Sequence, residues 1–155
     1  MPNMLAIING PNLNLLGKRQ PEIYGSRNFE DFLRNLRSRF PETPIEYFQS
    51  NSEGEIIDKI HHLGYNEPEC RGIVINPGAY AHYSYAIADA VAAIESPVVE
   101  VHISNIFSRE EFRHKSVIAP LCKASIAGCG LMGYELALLY LLNQEPKNFR
   151  TKNGH

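Results

Sequence analysis

The stretch "GIVINPGAYAHYSYAIADAVAAI" (residues 72–94) contains one complete unit of the predicted fold. It opens with the apolar run "GIVIN" (72–76), which is typical of a strand buried on both faces. Pro77 and Gly78 then interrupt the run with residues that favour a turn. Apolar side chains next recur at helical spacing, at Ile87, Ala90, Val91 and Ile94. The stretch therefore predicts a parallel strand followed by a crossover helix.

The same alternation of strand and helix patterns extends in both directions along the chain. Strand-like runs occupy residues 4–8, 45–49, 98–103 and 124–128. Helical spacing appears in two further sets, Phe29, Leu33, Leu36 and Phe40, and Ile56, Ile57, Ile60 and Leu63. Only the fourth strand lacks a clear helix after it. Because such units are right-handed, the pattern predicts an α/β protein with a flavodoxin-like, doubly wound parallel sheet. The expected strand order is 2-1-3-4-5.

Length and composition indicate a single domain over residues 1–155, with a polar tail from about 146 to 155. Hydrophobic residues make up 44% and charged residues 21% of the chain, as in ordinary globular proteins. No apolar run approaches the roughly 20 residues of a membrane span, and no secretory signal is evident. We therefore expect a soluble, cytoplasmic protein. A formal net charge of -2 excludes a general attraction to nucleic acid.

The cysteines and histidines do not form a metal-binding or disulfide pattern. Cys70, Cys122 and Cys129 are odd in number and include no CxxC pair. No HxxxH or HExxH spacing occurs either. We expect three structural cysteines, no metal and no disulfide.

Polar side chains follow each of the first four predicted strands. Open α/β sheets bind ligands outside the carboxyl ends of their strands, so these residues predict one pocket. For any single residue the alternative is a turn former that caps the next helix. The residues concerned are Asn9 and Asn12, Ser50 and Asn51, Asn76, and His102, Ser104 and Asn105.

The fourth strand, "VVEVHI", places Glu100 and His102 on one face of a strand whose surroundings should be apolar. A buried carboxylate beside an imidazole fixes its tautomer and favours the protonated ring. This arrangement is typical of a histidine that donates a proton. The alternative is a pair that only satisfies itself in the core.

The segment "GCGLMG" (128–133) fits the GxGxxG pattern of dinucleotide-binding proteins. That fingerprint also needs a further strand and an acidic residue about 20 positions on, and too little chain remains for both. We therefore expect these glycines to permit a tight turn and close helix packing, with no nucleotide cofactor.

The loop "GKRQPEIYGSR" (17–27) is charged and has no strand or helix periodicity. Tyr24 lies near Arg19, and cations of this kind stabilise a phenolate, so the tyrosine is a candidate base. Gly17 and Gly25 could act as hinges of a lid. The alternative is a tyrosine that only packs.

Four motifs together resemble the type II 3-dehydroquinate dehydratases, the small dehydroquinases of the shikimate and quinate pathways. They are "INGPNLNLLGKRQPEIYG", "NPGAYAHYS", "VEVHISNIFSREEFRHKS" and "IAGCGLMGYELAL", and the resemblance runs from about residue 4 to 142. It implies a flavodoxin-like fold and anti elimination of water from 3-dehydroquinate through an enol(ate). It also implies that no cofactor, metal or lysine imine takes part.

The resemblance assigns a role to each unusual residue. Tyr24 would remove the C2 proton, with Arg19 on the lid and Arg109 stabilising the phenolate. Asn12 would hold the enolate oxygen through a water.

The resemblance also assigns the proton donor and the residues that bind the substrate. His102, oriented by Glu100, would donate a proton to the C1 hydroxyl. Asn76 and the backbone amides of Ile103 and Ser104 would bind the carboxylate, and His82 and Arg113 would contact the ring hydroxyls.

The resemblance also implies a partner, a further copy of the chain. Asp89 would reach a neighbour's active site across a trimer interface, and four trimers would form a dodecamer. The sequence departs from the family at Ala88, where many relatives carry arginine, and at Phe107, where histidine is frequent. The first departure removes one expected interface ion pair.

A non-catalytic, flavodoxin-like binding module is the alternative from another functional class. Glu100 and His102 on a buried strand, with Tyr24 in a glycine-bounded loop, favour the enzyme. An imine mechanism would need a lysine in the pocket, and only Lys18 and Lys123 are near the predicted strand ends.

Overall fold

The computed structural model describes residues 1–24 and 27–145, with the side chain of Tyr24 excluded. The predicted lid hinge Gly25 and the predicted polar tail lie outside the described residues. Five parallel strands form one sheet in the order β2-β1-β3-β4-β5, which confirms the predicted topology. Their bounds are β1 Met4–Asn9, β2 Ile45–Gln49, β3 Cys70–Asn76, β4 Val98–His102 and β5 Ala124–Ala127.

The strand bounds differ from the predicted ones by one or two residues. β1 continues to Asn9 and β3 begins at Cys70, whereas β4 and β5 each end one residue early. The reason is clear at β5, because Gly128 has a φ of 88°, which no strand residue adopts.

The helices are α1 Pro21–Tyr24, α2 Phe29–Arg39, α3 Glu53–His61, α4 Tyr85–Ala93 and α5 Met132–Leu142. Asn28, Ser52 and Ser84 cap α2, α3 and α4, since each side chain accepts a backbone N–H of the first turn. Between β4 and β5 the chain forms only short 3-10 turns, at Ile106–Ser108, Glu111–Arg113 and Ala119–Leu121. The expectation that the fourth strand lacks a following helix is thus confirmed.

Two hydrophobic cores lie on opposite faces of the sheet. Leu5 and Ile7 of β1 face α2 and α5, whereas Ala6 and Ile8 face α3 and α4. Helices thus cover both faces of the sheet, which explains why consecutive positions of β1 and β3 are apolar.

The carboxyl ends of β1 and β3 approach each other closely. Asn9 and Asn76 are partners in the strand register, and the Gly10 N–H donates to the Asn76 carbonyl at 2.8 Å. A Cβ at Gly10 would lie 2.6 Å from the Pro77 carbonyl oxygen, so only glycine fits there. β2 lies on one side of β1 and β3 lies on the other, so the direction in which strands are added reverses at β1. Doubly wound folds bind ligands at such a switch point.

The "GCGLMG" segment forms the turn into α5. Gly128 and Gly130 have φ values of 88° and 61°, and a Cβ at Gly133 would lie 3.1 Å from Val101 of β4. These are the turn and packing roles that we predicted. Among the described residues, β5 is the last strand of the sheet. The further strand that a dinucleotide-binding fingerprint requires does not follow it there.

Cys70 is buried and Cys122 is partly buried. Burial raises the pKa of the Cys70 thiol to about 11 and that of Cys122 to about 12, so both remain protonated. Cys129 is exposed, and all three are free thiols. Within residues 1–24 and 27–145, no helix is long and apolar enough to cross a membrane, and no cluster of metal-ligating side chains occurs.

Candidate active site

A cleft that is partly open to solvent lies at the carboxyl ends of the strands. Most of the predicted site residues line it, namely Asn12, Arg19, Asn76, His82, His102, Ile103, Ser104, Arg109 and Arg113.

The chain turns sharply after β1 to form one wall of the cleft. Asn12 has a φ of 68°, in the left-handed region that asparagine tolerates better than most residues. Its backbone N–H donates to Asn51 Oδ1 at 3.0 Å. The side chain of Asn12 is exposed at the wall of the cleft, so its amide is accessible to a ligand or a water.

The polar residues after β2 do not line the cleft, which corrects the prediction that four strand ends converge. Ser50 donates to Glu55 and accepts the Ser52 N–H at 2.9 Å, and so supports the start of α3. Asn51 supports the backbone of Asn12. The reason is that β2 is an edge strand beyond β1, on the side away from β3.

His102 lines the floor of the cleft, and Glu100 lies buried behind it. Glu100 is 0% exposed and His102 is 6% exposed. His102 Nε2 lies 3.2 Å from Glu100 Oε1. That distance is within ion-pair range, but neither His102 Nε2 nor Glu100 Oε2 has a well-aligned hydrogen bond among the described residues. A carboxylate buried to this degree is costly without polar partners, and the imidazole of His102 is one of them.

Ser116 completes the surroundings of this pair. Its hydroxyl donates to Glu100 Oε1 at 2.8 Å and accepts the backbone N–H groups of Ile118 and Ala119. The two accepted bonds leave its single proton directed at the carboxylate. Ser116 thus holds Glu100 in place behind His102.

His82 lies beside His102 with a different character. The two rings are nearly parallel, at 21°, with centroids 6.2 Å apart. His82 Nδ1 lies 2.8 Å from the Lys115 carbonyl oxygen, and because a carbonyl only accepts, Nδ1 carries the proton. Burial, followed by His102 and Arg113, lowers the pKa of His82. Its Nε2 is therefore available as a hydrogen-bond acceptor.

The cleft carries three guanidinium groups, those of Arg19, Arg109 and Arg113, and the described residues that line it include no carboxylate and no lysine. Arg109 Nη1 donates to Ser104 Oγ at 3.3 Å, and Arg113 Nε lies 2.7 Å from Glu110 Oε2. Hydrogen bonds from its own backbone and from Arg113 lower the pKa of Glu110. This charge distribution favours an anionic ligand.

A buried polar cluster lies beneath the cleft and was not predicted. The Tyr134 hydroxyl, on α5, donates to Asn9 Oδ1 at 2.7 Å and accepts from Asn76 Nδ2 at 2.9 Å. Sequence analysis treated Tyr134 only as part of a motif. Tyr134 stands in the motif "IAGCGLMGYELAL", and no local pattern there links its hydroxyl to Asn9 or Asn76.

Three predicted site residues are not among the described residues that line the cleft, and Glu100, buried behind His102, is one of them. The backbone of Tyr24 ends α1, but its side chain, and hence its predicted role as base, lies outside the described residues. Asp89 is exposed on α4 and does not line this chain's own cleft.

Comparison with known proteins gives a consistent result. The family model "Dehydroquinase class II" matches residues 3–142. A 3-dehydroquinate dehydratase of Caldicellulosiruptor bescii is 56% identical over 137 residues, covering 87% of this chain and 93% of that protein. The Bacillus subtilis 3-dehydroquinate dehydratase is 53% identical over 148 residues, 94% of this chain and 97% of that protein. The crystal structure of a type II dehydroquinase from Butyrivibrio crossotus has a TM-score of 0.86 and 48% identity, covering 90% and 97% of the two chains.

Proposed function

Because this chain belongs to the class II dehydroquinase family and is a hydro-lyase that dehydrates 3-dehydroquinate in the shikimate pathway, we propose a division of roles among the residues of its cleft. The proposal rests on one observation. His102, with the buried Glu100 behind it, lines a cleft that also carries three arginines and no described carboxylate. That arrangement suits an anionic substrate which must receive a proton.

The first half of the reaction removes a proton next to the substrate ketone. Tyr24, as phenolate, takes the C2 proton, and Arg19 and Arg109 of the cleft stabilise that phenolate. The electrons of the C2–H bond form a C2–C3 double bond, and negative charge moves to the ketone oxygen. A water held by Asn12 donates a hydrogen bond to this oxygen. Such stabilisation is needed because the C2 proton becomes acidic only if the enolate is stabilised as it forms.

The second half expels the C1 hydroxyl. The enolate collapses to the ketone, a C1–C2 double bond forms, and the C1–O bond breaks as His102 donates its proton to give water. Nε2 of His102 is buried against Glu100, so the ring nitrogen available to the substrate is Nδ1. A proton then passes from Tyr24 back to His102 through solvent, and the site returns to its starting state.

The remaining cleft residues fix the orientation of the ring. Asn76 and the backbone N–H groups of Ile103 and Ser104 bind the carboxylate at the ends of β3 and β4. His82 accepts a ring hydroxyl at Nε2, because its Nδ1 is occupied by the Lys115 carbonyl. Arg113 donates to a second oxygen. Holding the substrate in this way accounts for an elimination without covalent attachment to the protein.

We also propose that active sites are shared between copies of the chain. Asp89 is exposed on α4 beside the exposed Tyr85, and neither lies in this chain's own cleft. The resemblance to the family supports a trimer in which Asp89 reaches the neighbouring cleft, and a dodecamer of four trimers. Three free thiols suit a reducing compartment, so we place the protein in the cytoplasm, in biosynthesis or in quinate breakdown.

The assignment of the base is tested with Tyr24→Phe, which keeps the ring and removes the proton acceptor. We expect kcat to fall by about 10² to 10⁴ with a much smaller change in KM. Tyr140→Phe, on α5 away from the cleft, is the matched control and should behave as wild type. Near-normal turnover of Tyr24→Phe would reject Tyr24 as the base, and a non-catalytic binding module would show no turnover in any of the three proteins.

A further inference from the structure

Tyr134 occupies an unusual position for a polar group. Its side chain is 0% exposed, and its ring packs against Phe29 and Phe32 of α2, with centroids 5.0 and 5.9 Å away. Its hydroxyl nevertheless reaches the carboxyl ends of β1 and β3, where Asn9 and Asn76 face each other in the strand register. Burying three polar side chains in an apolar layer is costly unless they are hydrogen-bonded to one another.

The directions of these hydrogen bonds are fixed by chemistry. Asn9 Oδ1 can only accept, so the single phenolic proton of Tyr134 points to it, at 2.7 Å. A lone pair of the same oxygen then accepts from Asn76 Nδ2, at 2.9 Å. Burial raises the pKa of Tyr134 far above its ordinary value, and the group therefore remains a neutral hydroxyl. It cannot serve as an acid or base.

Asn76 is held at both ends of its amide. Its Oδ1 accepts the Gly78 N–H at 3.1 Å, while one N–H of Nδ2 is directed at Tyr134. Rotation of the amide by half a turn would lose both bonds. The second N–H of Nδ2 is left for a ligand, and Asn76 is the member of this cluster that lines the cleft.

We propose that Tyr134 is a positioning residue, which orients the Asn76 amide so that its free N–H meets the substrate carboxylate. This inference rests on the proposed function, because it concerns how the same cleft binds 3-dehydroquinate. Tyr134 touches no substrate and acts only through Asn76. A purely structural tyrosine, by contrast, would only tie α5 to the sheet.

The test is a double-mutant cycle between Tyr134→Phe and Asn76→Ala, read out as KM and kcat for 3-dehydroquinate. Tyr134→Phe should raise KM about tenfold, or about 1.4 kcal/mol, and change kcat by less than about threefold. In the Asn76→Ala background, the same substitution should change KM by less than about twofold, because its target is gone. The KM increase should be the same from pH 6 to 9, since Tyr134 does not ionise. Tyr140→Phe, on the same helix, should leave both constants unchanged.

Each outcome supports or overturns the inference. An unchanged KM in Tyr134→Phe with only a lower melting temperature would show a structural role alone. A tenfold rise in KM in both backgrounds would show that Tyr134 acts independently of Asn76. If Tyr134→Phe does not fold, Asn9→Ala removes the acceptor that fixes the hydroxyl and should raise KM similarly, and an unchanged KM there would overturn the inference. Failure of wild type to convert 3-dehydroquinate would instead reject the proposed function.

Discussion

At the scale of single residues, the cleft holds two histidines in different surroundings. His102 lies against the fully buried carboxylate of Glu100, whereas His82 donates to a backbone carbonyl and has its pKa lowered by burial. Two neighbouring groups whose environments differ in this way can serve as a proton donor and a hydrogen-bond acceptor in the same reaction. We infer that their 6.2 Å separation allows one substrate to contact both.

The lowered pKa of His82 predicts how stability depends on pH. A histidine that is neutral in the folded state binds fewer protons than in the unfolded chain, so its contribution is full above pH 6.5 and is lost as the pH falls below that value. His82→Asn retains a donor near Nδ1 and does not titrate. We expect the free energy of unfolding of wild type relative to His82→Asn to decline as the pH falls below about 6.5, measured by urea denaturation. A pH-independent difference would show that His82 titrates normally.

Some site residues were visible in the sequence and others were not. Glu100 and His102 were predictable because charged groups on a buried strand break the apolar pattern. Tyr134 and Ser116 were not, because their partners are distant along the chain, 58 residues from Tyr134 to Asn76 and 16 from Ser116 to Glu100. A hydrogen bond of this kind is set by tertiary packing, and local patterns carry no record of it.

At the scale of elements, strand and helix order followed from hydrophobic periodicity, because each strand must bury both of its faces. Strand ends were less certain, since β5 stops where a glycine takes a positive φ. The connection from β4 to β5 was the least predictable part of the fold. It consists of short 3-10 turns, too short for a hydrophobic period, and these bring Arg109 and Arg113 to the cleft. Here the family resemblance supplied the site residues that periodicity did not.

At the scale of the whole molecule, the proposed sharing of sites makes activity depend on assembly. Asp89 is exposed on α4, whose buried face is formed by Ile87, Ala88, Ala90 and Val91. Asp89→Ala should therefore leave the fold intact but lower kcat/KM by about tenfold to a hundredfold, the worth of one charged hydrogen bond. An Asp89 that only pairs on its own helix surface would leave activity unchanged.

Mixing two impaired variants tests whether Asp89 completes a neighbouring active site or only pairs on its own helix surface. In a mixed trimer, an Asp89→Ala subunit supplies an intact Tyr24, and a Tyr24→Phe neighbour supplies an intact Asp89. Co-assembled subunits should therefore show more activity than either parent. Mixed trimers that recover nothing despite verified co-assembly, or a fully active monomer on sizing, would contradict shared sites.

We propose that 3-dehydroquinate is dehydrated in the cleft lined by His102, with Glu100 buried behind it. This is tested by the ultraviolet absorbance of the conjugated enone carboxylate produced from 3-dehydroquinate, followed with wild type and with His102→Asn at equal concentration. We predict a steady increase in absorbance with wild type and a rate at least about 10²-fold lower with His102→Asn, because asparagine cannot supply the proton. The account would be contradicted by no absorbance change at high concentrations of wild type, or by equal rates for the two proteins.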